Sequence, residues 1–254
     1  MRKLIVDKLC KVYESRHGSV SAVENVSFSV EEGEFAVIVG PSGCGKSTLL
    51  NIVGGLESAT SGTVTVSGKT VTAPGADRGM VFQSYSLFPW LTVQKNVEFG
   101  LKMKKMPPAE RAEIAGKYIS LVGLSGFEEA LPDQLSGGMK QRTAIARTLA
   151  NQPEILLMDE PFGALDAQTR VSMQEMLADI SRKTGSTVLF ITHDIDEAIL
   201  LGNRVLVMSR RPGRLREEIP IELSCERNHT ALVEPEFLNI KKKIMTLLWE
   251  EQNG

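Results

Sequence analysis

The chain has 254 residues, 42% apolar and 24% charged, enough to bury a sizeable core and typical of a globular protein. Its 29 basic and 31 acidic residues leave a formal net charge of -2, so no global field holds a nucleic-acid backbone and no nucleic-acid partner is expected. No run approaches the ~18 apolar residues needed to cross a bilayer, and Asp7 and Lys8 break the opening Met1–Val6 run too early for a secretion signal.

The expectation is therefore a cytoplasmic protein whose membrane role comes through a partner. Cys10, Cys44 and Cys225 are an odd set without metal-ligand spacing and fit a reducing compartment. There is no internal repeat of fixed period and no low-complexity linker.

In chain order, Glu34–Val39 is a β-rich run followed by a glycine loop and a helix from about Lys46. Further strands are predicted at Gly79–Phe82, Ile155–Asp159, Ser186–Thr192 and Arg204–Met208, continuous apolar runs that suit a sheet covered on both faces. The class is α/β. Between about Ser84 and Ala150 the rhythm breaks. Pro107-Pro108 opens a helix with Ile114, Tyr118, Leu121 and Val122 at helical spacing, which predicts a helical subdomain inserted into the core. A helix between Ala167 and Lys183 puts Met173, Met176, Leu177 and Ile180 on one face. A tail helix from about Pro235 to Glu251 does the same with Phe237, Ile240, Ile244, Leu247 and Leu248, and Lys241-Lys242-Lys243 within it reads as a solvated face. The division expected is a nucleotide-binding core at 1–85 and 151–222, a helical subdomain at 86–150 and a helical tail at 223–254.

The stretch Gly40, Pro41, Ser42, Gly43, Cys44, Gly45, Lys46, Ser47, Thr48 matches the P-loop pattern between a predicted strand and a predicted helix. Glycines let backbone N–H groups converge on phosphate oxygens, and the helix N-terminus adds partial positive charge. Lys46 would reach the β- and γ-phosphates of ATP, and the Ser47 hydroxyl would ligate Mg²⁺. A chance glycine turn is the alternative, which the strand–loop–helix context disfavours. Ile155–Glu160 is an apolar strand ending in two carboxylates. Asp159 would lie beside the P-loop if the two strands are neighbours, and would hold Mg²⁺ there, while Glu160 would polarise a water for in-line attack on the γ-phosphate. A solvated strand end is the bland reading of the pair.

Leu135-Ser136-Gly137-Gly138 is a second glycine loop running into a helix, suited to an anion but lacking a lysine, and two unlike phosphate-facing halves invite a two-fold dimer with ATP between them. With these motifs together the sequence resembles the ABC ATPase family, whose signature begins Leu-Ser-Gly-Gly. The resemblance covers nearly the whole chain, with Gln83 after a strand, Ala164-Leu165-Asp166 and His193 after another strand, all in family order. It implies a single ABC domain, a P-loop NTPase core with N-terminal antiparallel β strands and an inserted helical subdomain. It further implies that Gln83 contacts Mg²⁺ or water and senses the membrane subunit, that Asp166 communicates across the dimer, and that His193 holds the γ-phosphate and orients Glu160. Ser136, Gly137 and Gly138 would complete the nucleotide site of the paired subunit. Tyr13 resembles the aromatic that stacks on adenine, though an N-terminal tyrosine equally serves packing. Met139 stands where many members have Gln, and Gly163 where many have Ser; neither departure removes a charge.

Pro89-Trp90-Leu91-Thr92-Val93, together with Pro212-Gly213-Arg214 and Glu236-Phe237-Leu238, looks like the nitrate/sulfonate/taurine importer ATPases. The implied partners are an identical or related ATPase subunit, two transmembrane permease subunits and, indirectly, an extracytoplasmic solute-binding protein, with the chain peripheral at the cytoplasmic membrane face. Phe88, Pro89 and Trp90 would dock a permease helix if exposed, or form local core if not. The rival readings are a soluble ABC ATPase uncoupled from transport and an unrelated small-molecule kinase.

Overall fold

The computed structural model describes residues 1–15, 18–225 and 227–253. Among the described residues there are two sheets and seven α-helices. β1 (Arg2–Ser15) and β2 (Gly18–Glu31) pair antiparallel, and β4 (Ser61–Val66) and β5 (Lys69–Thr70) extend them into a four-stranded sheet ordered β2-β1-β4-β5. One face of β2 carries Val26, Phe28 and Val30, all buried, at the two-residue spacing of a sheet with one side on the core.

The second sheet has the order β10-β9-β3-β8-β7-β6, built from β3 (Phe35–Val39), β6 (Arg78–Val81), β7 (Ile155–Asp159), β8 (Val188–Ile191), β9 (Arg204–Met208) and β10 (Leu215–Pro220). Only β10, at the edge, runs antiparallel to its neighbour. Its apolar strands are explained by two separate cores. Val37, Val39, Leu156, Met158, Phe190 and Val205 face the helical side. Ala36, Ile38, Ile155, Leu157, Leu189 and Leu206 face α1 (Lys46–Gly54) and the antiparallel sheet. Every residue of β3 is buried because both faces of a parallel sheet are covered.

Between β6 and β7 lie α2 (Val93–Met103), α3 (Pro108–Leu121) and α4 (Gly137–Ala150), with a 3-10 turn at Pro132–Gln134. Thr92 and Ser136 cap α2 and α4 by accepting from Lys95 N and Met139 N, both at 3.3 Å. Pro108 opens α3, where a missing N–H costs nothing. The face of α3 that packs inward is Ala115, Tyr118, Ile119 and Val122, while Ile114 and Leu121 sit at its margin.

After β7 come α5 (Ala167–Thr184), capped by Asp166 and ended by Gly185 at φ +62°, and α6 (Ile195–Leu201), capped by Asp194. The tail helix α7 (Pro235–Asn253) buries Phe237 and Ile244 against α6 and β9. Of its lysines, Lys242 and Lys243 are exposed as expected, while half-buried Lys241 pairs with Asp196 at 2.7 Å and Lys243 reaches Glu217 at 2.5 Å. Among the described residues no helix is long and apolar enough to cross a membrane.

Candidate functional site

The loop Gly40–Gly45 joins the buried end of β3 to the N-terminus of α1. Two glycines are required by contact. A Cβ on Gly45, at φ +101°, would lie 2.6 Å from Ala22 O, and one on Gly40 would lie 2.9 Å from Cys44 Sγ. No side chain caps α1 and no acidic residue sits in its first turn, so its N–H groups remain available to an anion. Lys46 is buried and its Nζ donates to Gly40 O at 2.8 Å and Pro41 O at 3.0 Å, which holds the ammonium along the loop. The Cys44 side chain points into the core, where burial pushes its thiol pKa up; Pro41 has no N–H. These two shape the loop from behind, and only backbone from Cys44 can face a ligand.

A cavity of about 420 Å³ opens over the loop. Tyr13, Ser42, Gly43, Gly45, Lys46, Ser47, Thr48, Glu160 and His193, all expected from the sequence, line it together. Tyr13 approaches from β1, with its hydroxyl 3.5 Å from Thr48 Oγ1. Three further lining residues were not expected: Val20 and Ala22, which widen the apolar wall beside Tyr13, and Arg211. The first two carry no motif signal; Arg211 directly precedes the quoted Pro212-Gly213-Arg214 run.

Asp159 reaches the loop by another route than strand adjacency. β7 is not next to β3, because β8 lies between them. Instead α1 packs across β7 and brings Ser47 Oγ to within 3.2 Å of Asp159 Oδ1. Burial pushes the Asp159 carboxyl pKa up, opposed by the Ser47 hydrogen bond; the neighbouring Glu160 charge pushes the same way as burial, and Lys46 opposes.

Glu160 has φ +43°, a left-handed conformation that a side chain rarely adopts outside constrained sites. Its N–H donates to Ile191 O at 3.0 Å and its carbonyl accepts from Gly163 N at 3.1 Å, bonds that hold the turn. The turn aims Glu160 Oε2 at His193 Nδ1, 3.0 Å away. That contact leaves the Nε2 edge of a largely exposed imidazole directed outward. Gln83 is exposed and does not line the cavity. It approaches Glu160 over Gly163, where a single Cβ would meet both Gln83 Nε2 at 3.6 Å and Glu160 Oε2 at 3.8 Å.

Ser136 and Gly138 lie elsewhere. They line a separate cleft of about 350 Å³ with Leu124, Phe127, Arg142 and Thr169, and Gly137 packs beside the Tyr85 hydroxyl. Within one chain they do not meet the P-loop.

The ABC transporter family pattern matches residues 23–163, which span the P-loop, the Gly137–Ala150 helix and the Asp159-Glu160 strand end. The chain belongs to the ABC transporter family. It is an ATP-binding, ATP-hydrolysing member. It is 51% identical to the nitrate import ATP-binding protein NrtD of Synechocystis sp. over 96% of this chain and 94% of that one. It is 44% identical to the taurine import ATP-binding protein TauB of Pelagibacter ubique over 98% and 96%. Among solved structures it resembles the dimeric post-hydrolysis ATP-binding cassette MJ0796 bound to ADP and Pi. That match has TM-score 0.76 and 36% identity, covering 87% of this chain and 99% of that one.

Proposed function

We propose that this ABC cassette is the motor subunit of an importer for a small anion of the nitrate, sulfonate or taurine kind. It would work as a pair of cassettes beneath two permease subunits at the cytoplasmic membrane face, with an external binding protein delivering the solute. The observation that carries the reading is the division of the site: the P-loop, Glu160 and His193 share one cavity, with Asp159 held beside it by Ser47, while the Ser136–Gly138 helix N-terminus opens on another. A second cassette related by a two-fold axis would bring its Ser136 loop over the first one's P-loop, sandwiching ATP. The dimeric cassette MJ0796, bound to ADP and Pi, supports the arrangement.

In the proposed chemistry the α1 N-terminus and Lys46 bind the β- and γ-phosphates. The Glu160 carboxylate polarises a water in line with the γ-phosphate, and the His193 hydrogen bond fixes the direction of that carboxylate. Ser47 Oγ and Asp159 Oδ1 form a pair of hard oxygen donors, and burial with the Glu160 charge raises the Asp159 pKa more than Ser47 and Lys46 lower it, so the pair fits Mg²⁺. When bound, Mg²⁺ would neutralise charge on the phosphate oxygens.

Permease docking is assigned to a groove of about 640 Å³ between the end of β6 and α2, lined by Met80, Phe82, Phe88, Phe99, Met103 and Arg147 among others. Phe88 and Trp90 divide their roles. Phe88 is half-buried, its ring 4.3 Å from that of Phe99 and under the Arg147 guanidinium, so it forms the groove floor. Trp90 is 71% exposed and free to enter a partner. Gln83 lies between this loop and Glu160, which supports a role in sensing the permease.

Glu160→Gln keeps the shape and the hydrogen bond but removes the base. ATP should still bind while hydrolysis falls by roughly 10² or more, and the ATP-bound dimer should accumulate. Size-exclusion chromatography with ATP and Mg²⁺ tests this; a species that stays monomeric contradicts the sandwich.

A further inference from the structure

Arg211 enters the phosphate cavity from outside every motif described above. It belongs to the turn between β9 and β10, which is locked onto both walls of the site. Gly213 N donates to Ala22 O at 3.0 Å and Glu24 N to Gly213 O at 2.9 Å, tying the turn to β2. Gly213 also packs so closely on Cys44 O that a Cβ there would collide with it. Ser209 closes the turn, its hydroxyl donating to Pro212 O at 3.2 Å and accepting from Arg214 N at 3.0 Å. The guanidinium is thus carried on a braced scaffold.

From that scaffold Arg211 Nε donates to Gly43 O at 3.2 Å, and Nη2 stands 3.8 Å from where a Gly43 Cβ would be. The guanidinium therefore lies over the apex of the P-loop. Three arginines of the flanking strands and turn are neutralised: Arg204 pairs with Glu34 and Glu218, Arg214 with Glu24, and Arg216 with Glu250 and Glu251. Among the described residues no carboxylate pairs with Arg211. An exposed cation that lines an anion cavity, bound only to a carbonyl of the anion-binding loop, keeps most of its planar fork of donors for a ligand.

We propose that Arg211 is a nucleotide-contacting residue whose guanidinium binds the polyphosphate of ATP and ADP from the β2 side of the cavity. The inference rests on the P-loop cavity being the nucleotide site. Tyr13, Val20 and Ala22 form the apolar end suited to a base, and Ser47, Asp159, Glu160 and His193 form the end suited to the γ-phosphate and metal. Arg211 comes in beside β2 and the loop apex, between those ends, so its contact is one that ADP keeps after hydrolysis. A planar fork matches phosphate oxygens with two parallel bonds, a geometry that lysine cannot reproduce.

The test uses the full chain with ATP and with ADP, each titrated calorimetrically with Mg²⁺ against wild type, Arg211→Met, Arg211→Lys and Lys46→Ala. Arg211→Met keeps the length and packing of the stem and should raise Kd for both nucleotides about tenfold, the worth of one charge-assisted hydrogen-bonded contact. Arg211→Lys keeps the charge but not the fork and should recover only part of that loss, and the nucleotide-free melting temperature of both should match wild type. Wild-type affinity in Arg211→Met overturns the proposal. So does a nucleotide-free melting temperature that drops with affinity, which marks a bracing role. Full affinity in Arg211→Met with loss in Arg211→Lys marks stacking on the base and overturns the phosphate contact. Lost binding in Lys46→Ala beside wild-type binding in Arg211→Met overturns the Arg211 assignment alone. Retained binding in Lys46→Ala overturns the nucleotide site and this contact with it.

Discussion

The chain has two glycine-marked helix N-termini, at α1 and at α4, and the fold treats them differently. At α1 no side chain caps the helix, Lys46 lies along the loop, Glu160 and His193 line the same cavity, and Asp159 bonds to Ser47 beside it. At α4 the Ser136 hydroxyl caps the helix through Met139 N, and neither a P-loop lysine nor a carboxylate joins it in its cleft. The first is built to bind an anion by itself. The second offers a hydroxyl and a few N–H donors, and the cation in its cleft, Arg142, is already bonded to Val122 O and Ser172 Oγ. A glycine loop before a helix therefore gives a favourable dipole in both places, and the surrounding side chains decide whether that is sufficient.

Lys46→Ala breaks the stronger end and should have the largest effect, with ATP binding sharply weakened and turnover abolished, because the phosphate charge loses its main cationic partner. Turnover measured by phosphate release, unchanged in this variant, would remove the site. Trp90→Ala lies outside both helix ends and serves as a contrast. It should leave the melting temperature and basal ATP hydrolysis near wild type while weakening assembly with the permease subunits by ~2 kcal/mol or more, measured by pull-down from solubilised membranes. A destabilised, inactive variant would instead make Trp90 part of the packing, as Phe88 already is in part.

Ser136→Ala sharpens the comparison at the weaker end. Loss of the cap should cost ~1 kcal/mol of stability, read in a denaturant melt. ATP affinity of the monomer should stay unchanged, while ATP-driven dimerisation weakens. Loss of monomer affinity would mean that the two ends are not separate in the way the cavities indicate.

The smallest effect is expected from Asp159→Asn in the absence of divalent cations. Burial raises the Asp159 pKa in the folded state above its unfolded value, so the folded chain holds this proton more tightly. Its contribution to stability is then lost as pH rises between the two values, and the penalty is full at neutral pH. The Asn variant should melt slightly above wild type at pH 7, and the gap should close on acidification toward ~4, the ordinary Asp range. A variant that melts lower at pH 7 would show that the Ser47–Asp159 contact outweighs the desolvation.

Much of this was legible in the sequence because it is local. The β3–loop–α1 unit, the apolar runs of β7 to β9 and the start of α3 at Pro108 follow from backbone preferences and burial on both faces, and they appear where residue types alone place them. The inward face of α3 was only half legible. Tyr118 and Val122 are buried, but so are Ala115 and Ile119, since the helix turns toward α2 and α4 by an angle that its own sequence does not carry. The same limit applies to the site. Glu160 and His193 were readable as residues, yet their 3.0 Å contact needs β7 and β8 side by side and a left-handed turn at Glu160. Asp159 meets Ser47 across an intervening strand because α1 crosses the sheet, and Arg211 reaches the P-loop because the β9–β10 turn locks onto β2. By itself the sequence determined the chemistry of each segment, since that depends on neighbours a few bonds away. Tertiary structure alone decided which segments share a cavity, because that depends on strand order and on the angle at which helices cross the sheet.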